Sequence, residues 1–203
     1  MLKKFFPVLE HINFPGILTT MGLMMGAVTA YLLMHGELRW AILALFLCGV
    51  LDLADGFAAS RLNQITKFGQ QVDSLVDFFT CCIMPIFMVY LFFYENWLVV
   101  GAMAFYAMCG LWRLAYYNIL TEQPALPGGR KYFTGLPVPG AMMVITMTFW
   151  AVMRFGLPVW LMAIAFVAIG LLMVSYIKLI KYGPWQRILW GVGLIFMGFV
   201  LFS

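Results

Sequence analysis

The chain has 203 residues, 65% of them hydrophobic and 10% charged, with a net charge of +4. That balance is too apolar for a water-soluble domain of this size. No basic cluster extends beyond short loops, so nothing supports nucleic acid as a partner, and the modest positive charge suits an anionic lipid surface.

Residues 1–14 place Lys3 and Lys4 ahead of Phe5, Phe6, Val8 and Leu9, the lipid face of an expected short interfacial helix. Pro7, Glu10 and His11 interrupt the apolar run, and no small-x-small cleavage site follows, unlike a signal peptide. Residues 15–203 read as a single transmembrane domain. A spanning helix needs ~20 mostly apolar residues, and the candidate runs are 16–34, 38–59, 72–93, 97–120, 137–153, 157–180 and 185–202. The expected fold is an all-α integral membrane bundle of about six to seven transmembrane helices behind a short interfacial N-terminal helix.

Charge placement orients it. With the N-terminus inside, Lys3, Lys4, Arg61, Lys67, Arg113, Arg130, Lys131, Lys178, Lys181 and Arg187 fall on the inner side, and only Arg39 and Arg154 fall outside. The positive-inside rule then predicts a cell (inner) membrane protein whose segment 52–77 faces the cytoplasm. Cys48, Cys81, Cys82 and Cys109 lie within spans and without metal-type spacing, so they read as packing residues. Gly22 and Gly26 form a Gly-x-x-x-Gly pair that permits close helix packing. His11 reads as solvated, and His35 falls on the outer side.

One window stands apart. Asp52, Asp55, Asp73 and Asp77 supply half of the chain's eight acidic residues. A carboxylate at the centre of a spanning helix costs ~2.5–3.5 kcal/mol, so four together need a partner. Residues three, four and seven apart share a helix face. Asp52, Asp55, Gly56 and Ala59 therefore form one stripe, and Gly69, Asp73 and Asp77 another, on helices expected to be antiparallel neighbours. Carboxylate oxygen is the donor that Mg²⁺, Mn²⁺ or Ca²⁺ prefers, and two such ions would balance four carboxylates. Structural pairing with Arg or Lys, or an ion site in a transporter, are the competing readings. Spacing alone does not separate a transporter from an enzyme.

The pattern Asp-x-x-Asp-Gly-x-x-Ala, a short gap, then Gly-x-x-x-Asp-x-x-x-Asp resembles the signature of CDP-alcohol phosphotransferases, with Asp52, Asp55, Gly56, Ala59, Gly69, Asp73 and Asp77 at that family's spacing. Two positions depart from it. Ser60 stands where the family usually carries Arg, with Arg61 next, and Gly16 replaces the amide of a Pro-Asn-x-Leu-Thr segment that here reads Pro15-Gly16-Ile17-Leu18-Thr19. Further on, Arg113-Leu114-Ala115-Tyr116-Tyr117-Asn118 and Phe133-Thr134-Gly135-Leu136-Pro137-Val138-Pro139 resemble segments of the phosphatidylserine synthase branch, so the likeness runs roughly from residue 14 to 141.

The resemblance implies a homodimeric membrane enzyme that moves a phosphatidyl group from CDP-diacylglycerol to L-serine and releases CMP. It implies two Mg²⁺ or Mn²⁺ ions on Asp52, Asp55, Asp73 and Asp77, with Asp77 as the general base. It implies a CDP-lipid site along Thr19, Gly56, Ala59, Ser60, Arg61 and Gly69. A guanidinium grips a carboxylate bidentately, so Arg113 or Arg130, with Lys131 and Asn118, would hold the acceptor. The same enzyme class with glycerol 3-phosphate or an inositol phosphate as acceptor is the nearest alternative, and a cation transporter is more distant.

Overall fold

The computed structural model describes residues 11–62, 64–122, 132–180 and 184–202. The expected interfacial helix therefore lies almost wholly outside the described residues, as do Arg130 and Lys131.

Helix α1 (Phe14–Met34) starts where Asn13 Oδ1 accepts the Gly16 amide at 3.0 Å. Pro15 sits in the first turn, where a missing N–H costs nothing. The helix buries Pro15, Thr19, Gly22, Gly26, Thr29 and Leu33, a stripe of alternating three- and four-residue steps made of small side chains. A Cβ added at Gly26 would lie 2.9 Å from Phe79 and 3.0 Å from Thr80 Cγ2. The glycine pair therefore serves close packing, as expected.

Helix α2 (Leu38–Arg61) returns against α1, and α3 (Lys67–Asp77) follows with Thr66 as its cap, the Thr66 Oγ1 accepting the Gly69 amide at 3.0 Å. Directly after Asp77 the backbone widens into a π-helical turn over Phe78–Ile83 and then continues as α4 (Met84–Phe93). Pro85 has no amide hydrogen for the carbonyl four residues back, that of Cys81. That carbonyl instead accepts the hydroxyl of the fully buried Tyr106 at 3.0 Å.

Helix α5 (Trp97–Glu122) leads to strand β1 (Tyr132–Thr134), then α6 (Val138–Phe155), α7 (Trp160–Val174), strand β2 (Lys178–Ile180) and α8 (Pro184–Phe202). Helix α6 ends on Gly156, whose φ of 62° is the left-handed conformation that favours glycine at a helix terminus. The two strands pair antiparallel with Thr134 opposite Lys178.

This corrects the sixth expected span. The run 157–180 is not one helix: α7 has 15 residues, about 22 Å at 1.5 Å per residue, and the chain beyond it is held as extended backbone. The Leu136 amide donates to Leu172 O at 3.0 Å and the Gly135 amide to Ile177 O at 2.9 Å. Those bonds tie the polypeptide on either side of Ser175 to the segment before α6, and hydrophobicity alone carries no trace of them.

Among the described residues, five helical stretches are long and apolar enough to cross a membrane: Phe14–Met34, Leu38–Arg61, Lys67–Phe93, Trp97–Leu120 and Val138–Phe155. Trp160–Val174 and Trp190–Phe202 are shorter apolar helices. Tyr106, Phe149, Phe166, Ile42, Leu45 and Met88 are fully buried at its centre, and the four cysteines are buried and free. Large apolar side chains such as Trp97 (77% exposed) and Phe202 (95%) cover the outside. This is the inverse of a soluble surface, and the protein is an integral membrane helical bundle.

Candidate active site

The antiparallel run of α1, α2 and α3 brings the start of α1, the end of α2 and the start of α3 to one end of the bundle. Asp52 and Asp55, three apart on α2, meet Asp73 on α3. One carboxylate oxygen from each of the three lies within 4.8 Å of the others. Asp55 is only 5% exposed. Its Oδ2 accepts the Thr19 hydroxyl of α1 at 2.6 Å, and the same hydroxyl lies 3.1 Å from Pro15 O.

Asp77, one turn beyond Asp73 and 8% exposed, falls outside that group of three. It joins the group electrostatically, within range of the charges of Asp52, Asp73 and Arg113. Two unit negative charges ~5 Å apart repel by about 3 kcal/mol at an effective dielectric constant of ~20. The buried Arg113 guanidinium offsets part of that charge, and divalent cations would offset more of it. A Mg²⁺ or Ca²⁺ ion holding each oxygen at about 2.1–2.6 Å spans about 4.2–5.2 Å between opposite ligands. The three oxygens of Asp52, Asp55 and Asp73 match that span, so the donor set fits a divalent ion.

The remaining expected site residues divide. Gly56 is exposed, with open space where a Cβ would stand, while Ala59 is half-buried and Ser60 exposed beside it. Arg61 is exposed, its guanidinium 5.9 Å from the centre of the Phe57 ring. Gly69 has a nearer duty than ligand approach, since an added Cβ would lie 3.0 Å from the capping Thr66 Oγ1. Thr19 binds Asp55 directly. Arg113 is buried, lies 5.3 Å from the Tyr117 ring centre and interacts with the charges of Asp77 and Asp52. Asn118 Oδ1 accepts the Ser74 hydroxyl at 3.0 Å, which locks α5 to α3 beside the carboxylates.

Sequence reasoning overlooked three features. Ser74 stands between Asp73 and Asp77, but its link to a residue 44 positions away leaves no local signal. Asn13 does more than cap α1, because its Nδ2 also donates to Gln64 O at 2.9 Å and fixes the α2–α3 connection. Finally, a cavity of about 350 Å³ opens between the ends of α5 and α7, lined by Trp112, Arg113, Tyr116, Met173, Ser175 and Tyr176 among others. His11 is exposed, as expected, with its ring 5.5 Å from that of Phe68.

A carboxylate cluster on facing helices, with Arg113 both beside it and in the wall of the cavity, is a membrane-embedded site with the donors for a divalent cation. The CDP-alcohol phosphatidyltransferase family model matches residues 12–171. The chain belongs to that family.

It is 30% identical to the CDP-diacylglycerol–serine O-phosphatidyltransferase of Bacillus subtilis (strain 168) over 166 residues, which cover 81% of this chain and 88% of that protein. It is 31% identical to the archaetidylserine synthase of Methanothermobacter thermautotrophicus, across 68% of this chain and 58% of that protein. With the CDP-diacylglycerol–serine O-phosphatidyltransferase of Methanocaldococcus jannaschii it shares 32% identity, across 68% of this chain and 62% of the relative. The match thus spans about three fifths of the length of the two archaeal proteins and most of the bacterial one.

Proposed function

We propose that this enzyme transfers a phosphatidyl group from CDP-diacylglycerol to L-serine at the cytoplasmic face of the cell membrane, releasing CMP. The observation that carries the proposal is Arg113, which borders Asp77 and Asp52 on one side and the α5–α7 cavity on the other. Relatives named for serine transfer support the choice of acceptor.

Asp52, Asp55 and Asp73 would hold one Mg²⁺ or Mn²⁺, and Asp77 would join Asp52 and Asp73 in holding a second. Bound there, the ions supply positive charge against the pyrophosphate and the departing CMP oxygen. Thr19 orients Asp55 by its short hydrogen bond. Gly56, Ala59, Ser60 and Gly69 leave the polar end of α2 and α3 low enough for the nucleotide to lie close, and Arg61 reaches its phosphates. Asp77 takes the proton of the serine hydroxyl as that oxygen forms its bond to the β-phosphorus and the bond to CMP breaks, a task that needs hydrogen-bond reach. Arg113 receives the serine carboxylate, with Asn118 and the loop residues Arg130 and Lys131 completing the acceptor side. The acyl chains stay in lipid. Residues 15–203 act as one catalytic domain, and the enzyme works as a homodimer.

The test is CMP release by purified protein given CDP-diacylglycerol, Mn²⁺ or Mg²⁺, and a panel of alcohols. Serine should be the preferred acceptor. A clear preference for glycerol 3-phosphate or an inositol phosphate would reassign the acceptor within the class, and metal flux without CMP release would remove the enzyme reading.

A further inference from the structure

We infer that the cavity between the ends of α5 and α7 receives the acceptor, and that the aromatic faces of Trp112, Tyr116 and Tyr176 select for an ammonium group on it. This inference rests on the serine-transfer reading and adds a discriminating element that the reading does not contain.

The lining has an uneven chemistry. Arg113 is its one ionised side chain, and the rest are Trp112, Tyr116, Met173, Val174, Ser175 and Tyr176. A guest with a carboxylate has an evident partner in Arg113, and the same guanidinium borders Asp77, so such a guest lies next to the proposed base. A guest with a positive charge meets no acidic side chain in this lining. It meets three aromatic rings, and Ser175 Oγ is already donating to Leu172 O at 2.8 Å. Cations are attracted to the faces of Trp and Tyr rings. These rings are not core filler: Trp112 is 57% exposed, Tyr116 50% and Tyr176 76%. Trp112, Arg113 and Tyr116 also sit on neighbouring positions of one helix, so carboxylate and ammonium partners stand side by side, as an α-amino acid requires.

Tyr176 is held in place by backbone. Gly135 has φ +75°, a conformation L side chains rarely adopt, and an added Cβ would overlap the Met173 carbonyl oxygen. Its amide binds Ile177 O while the next amide binds Leu172 O. The chain is therefore tied on both sides of Ser175 and Tyr176.

The experiment compares two acceptors of nearly the same shape in the full-length protein: L-serine, and glycerate, in which a hydroxyl replaces the ammonium. Tyr176→Leu and Trp112→Leu each remove one ring from an exposed position, and Tyr176→Phe keeps the ring without its hydroxyl. The wild type should favour serine. Either leucine variant should raise KM for serine about tenfold, leave KM for CDP-diacylglycerol unchanged and erase much of the preference over glycerate. Tyr176→Phe, which keeps the ring, should keep the preference for serine over glycerate. If serine is used normally and both leucine variants keep the wild-type KM and preference, the aromatic recognition is wrong while the serine reading survives. If the wild type releases CMP with glycerol 3-phosphate but not with serine, the parent reading falls and takes this inference with it.

Discussion

The Thr19 hydroxyl donates to Asp55 Oδ2 at 2.6 Å, so the first helix holds one of the cluster carboxylates in place. Thr19 is itself buried at 5% exposure and sits on the small-residue stripe that packs α1 close to its neighbours. Thr19→Val keeps the shape and removes the donor. Groups that orient metal ligands typically matter by about 10–100-fold in metal affinity or activity, so the variant should need that much more Mn²⁺ for half-maximal CMP release. Thr19→Ser should stay near wild type. An unchanged Mn²⁺ midpoint in Thr19→Val would reduce the contact to packing.

Asp77 differs from the other three aspartates by standing outside the tight group and beside Arg113. A general base contributes about 10²–10⁴-fold to rate. Asp77→Asn should therefore lower kcat by about that factor while Mn²⁺-dependent binding of CDP-diacylglycerol, followed by equilibrium binding to protein in nanodiscs, persists in part. Wild-type turnover would take Asp77 out of the chemistry.

Much of this site was legible because helical spacing is a strong constraint. Asp52 with Asp55, and Asp73 with Asp77, could share a face only if both segments were helical, and they do. The apolar runs likewise located the long helices to within a few residues. What escaped were contacts made across the fold. The bond from Thr19 to Asp55 escaped because nothing local ties Thr19 to a residue 36 positions later. The end of α7 was overrun because Met173–Ile180 is apolar enough to continue a helix, and only its bonds to Gly135 and Leu136 stop it. Pro85 was visible, but the π-helical turn before it and the Tyr106 hydroxyl that serves Cys81 were not.

Mutual repulsion in the carboxylate group gives a stability test. Without a cation, each close pair costs about 3 kcal/mol at an effective dielectric constant of ~20, and a ligand that binds only the folded state raises the melting temperature. Chelation with EDTA should stop CMP release and lower the Tm of the wild type. Asp52→Asn should melt above the wild type in EDTA and gain less from added Mn²⁺. Identical Tm values with and without Mn²⁺ in the wild type would argue against a resident ion.

Ser60 occupies the position where the resemblance expects an arginine, and Arg61 lies exposed over Phe57. On a helix the two positions differ by about 100°, so Arg61 would have to bend its long chain to meet a nucleotide on the Gly56 stripe. Ser60→Arg puts a guanidinium on the Gly56 stripe directly. KM for CDP-diacylglycerol should fall about three- to tenfold, within the range of a charge-assisted contact, with KM for serine unchanged. A raised or unaltered KM for the lipid would show that Arg61 already fills the role or that none exists.

Tyr106 tests the backbone beneath the site. Its hydroxyl serves the Cys81 carbonyl, which Pro85 deprives of the usual helical amide, and this happens one turn beyond Asp77 in the π-helical segment. Tyr106→Phe preserves the buried ring and removes one donor. A buried acceptor left unsatisfied costs about 1–3 kcal/mol, so the variant should lose several degrees of Tm in detergent. Because the π-helical turn carries Asp77 at its N-terminal edge, kcat should fall as well, while KM for serine holds. Full stability in Tyr106→Phe would mean that water or a shifted amide satisfies Cys81, and that the π-helical turn is supported by packing alone.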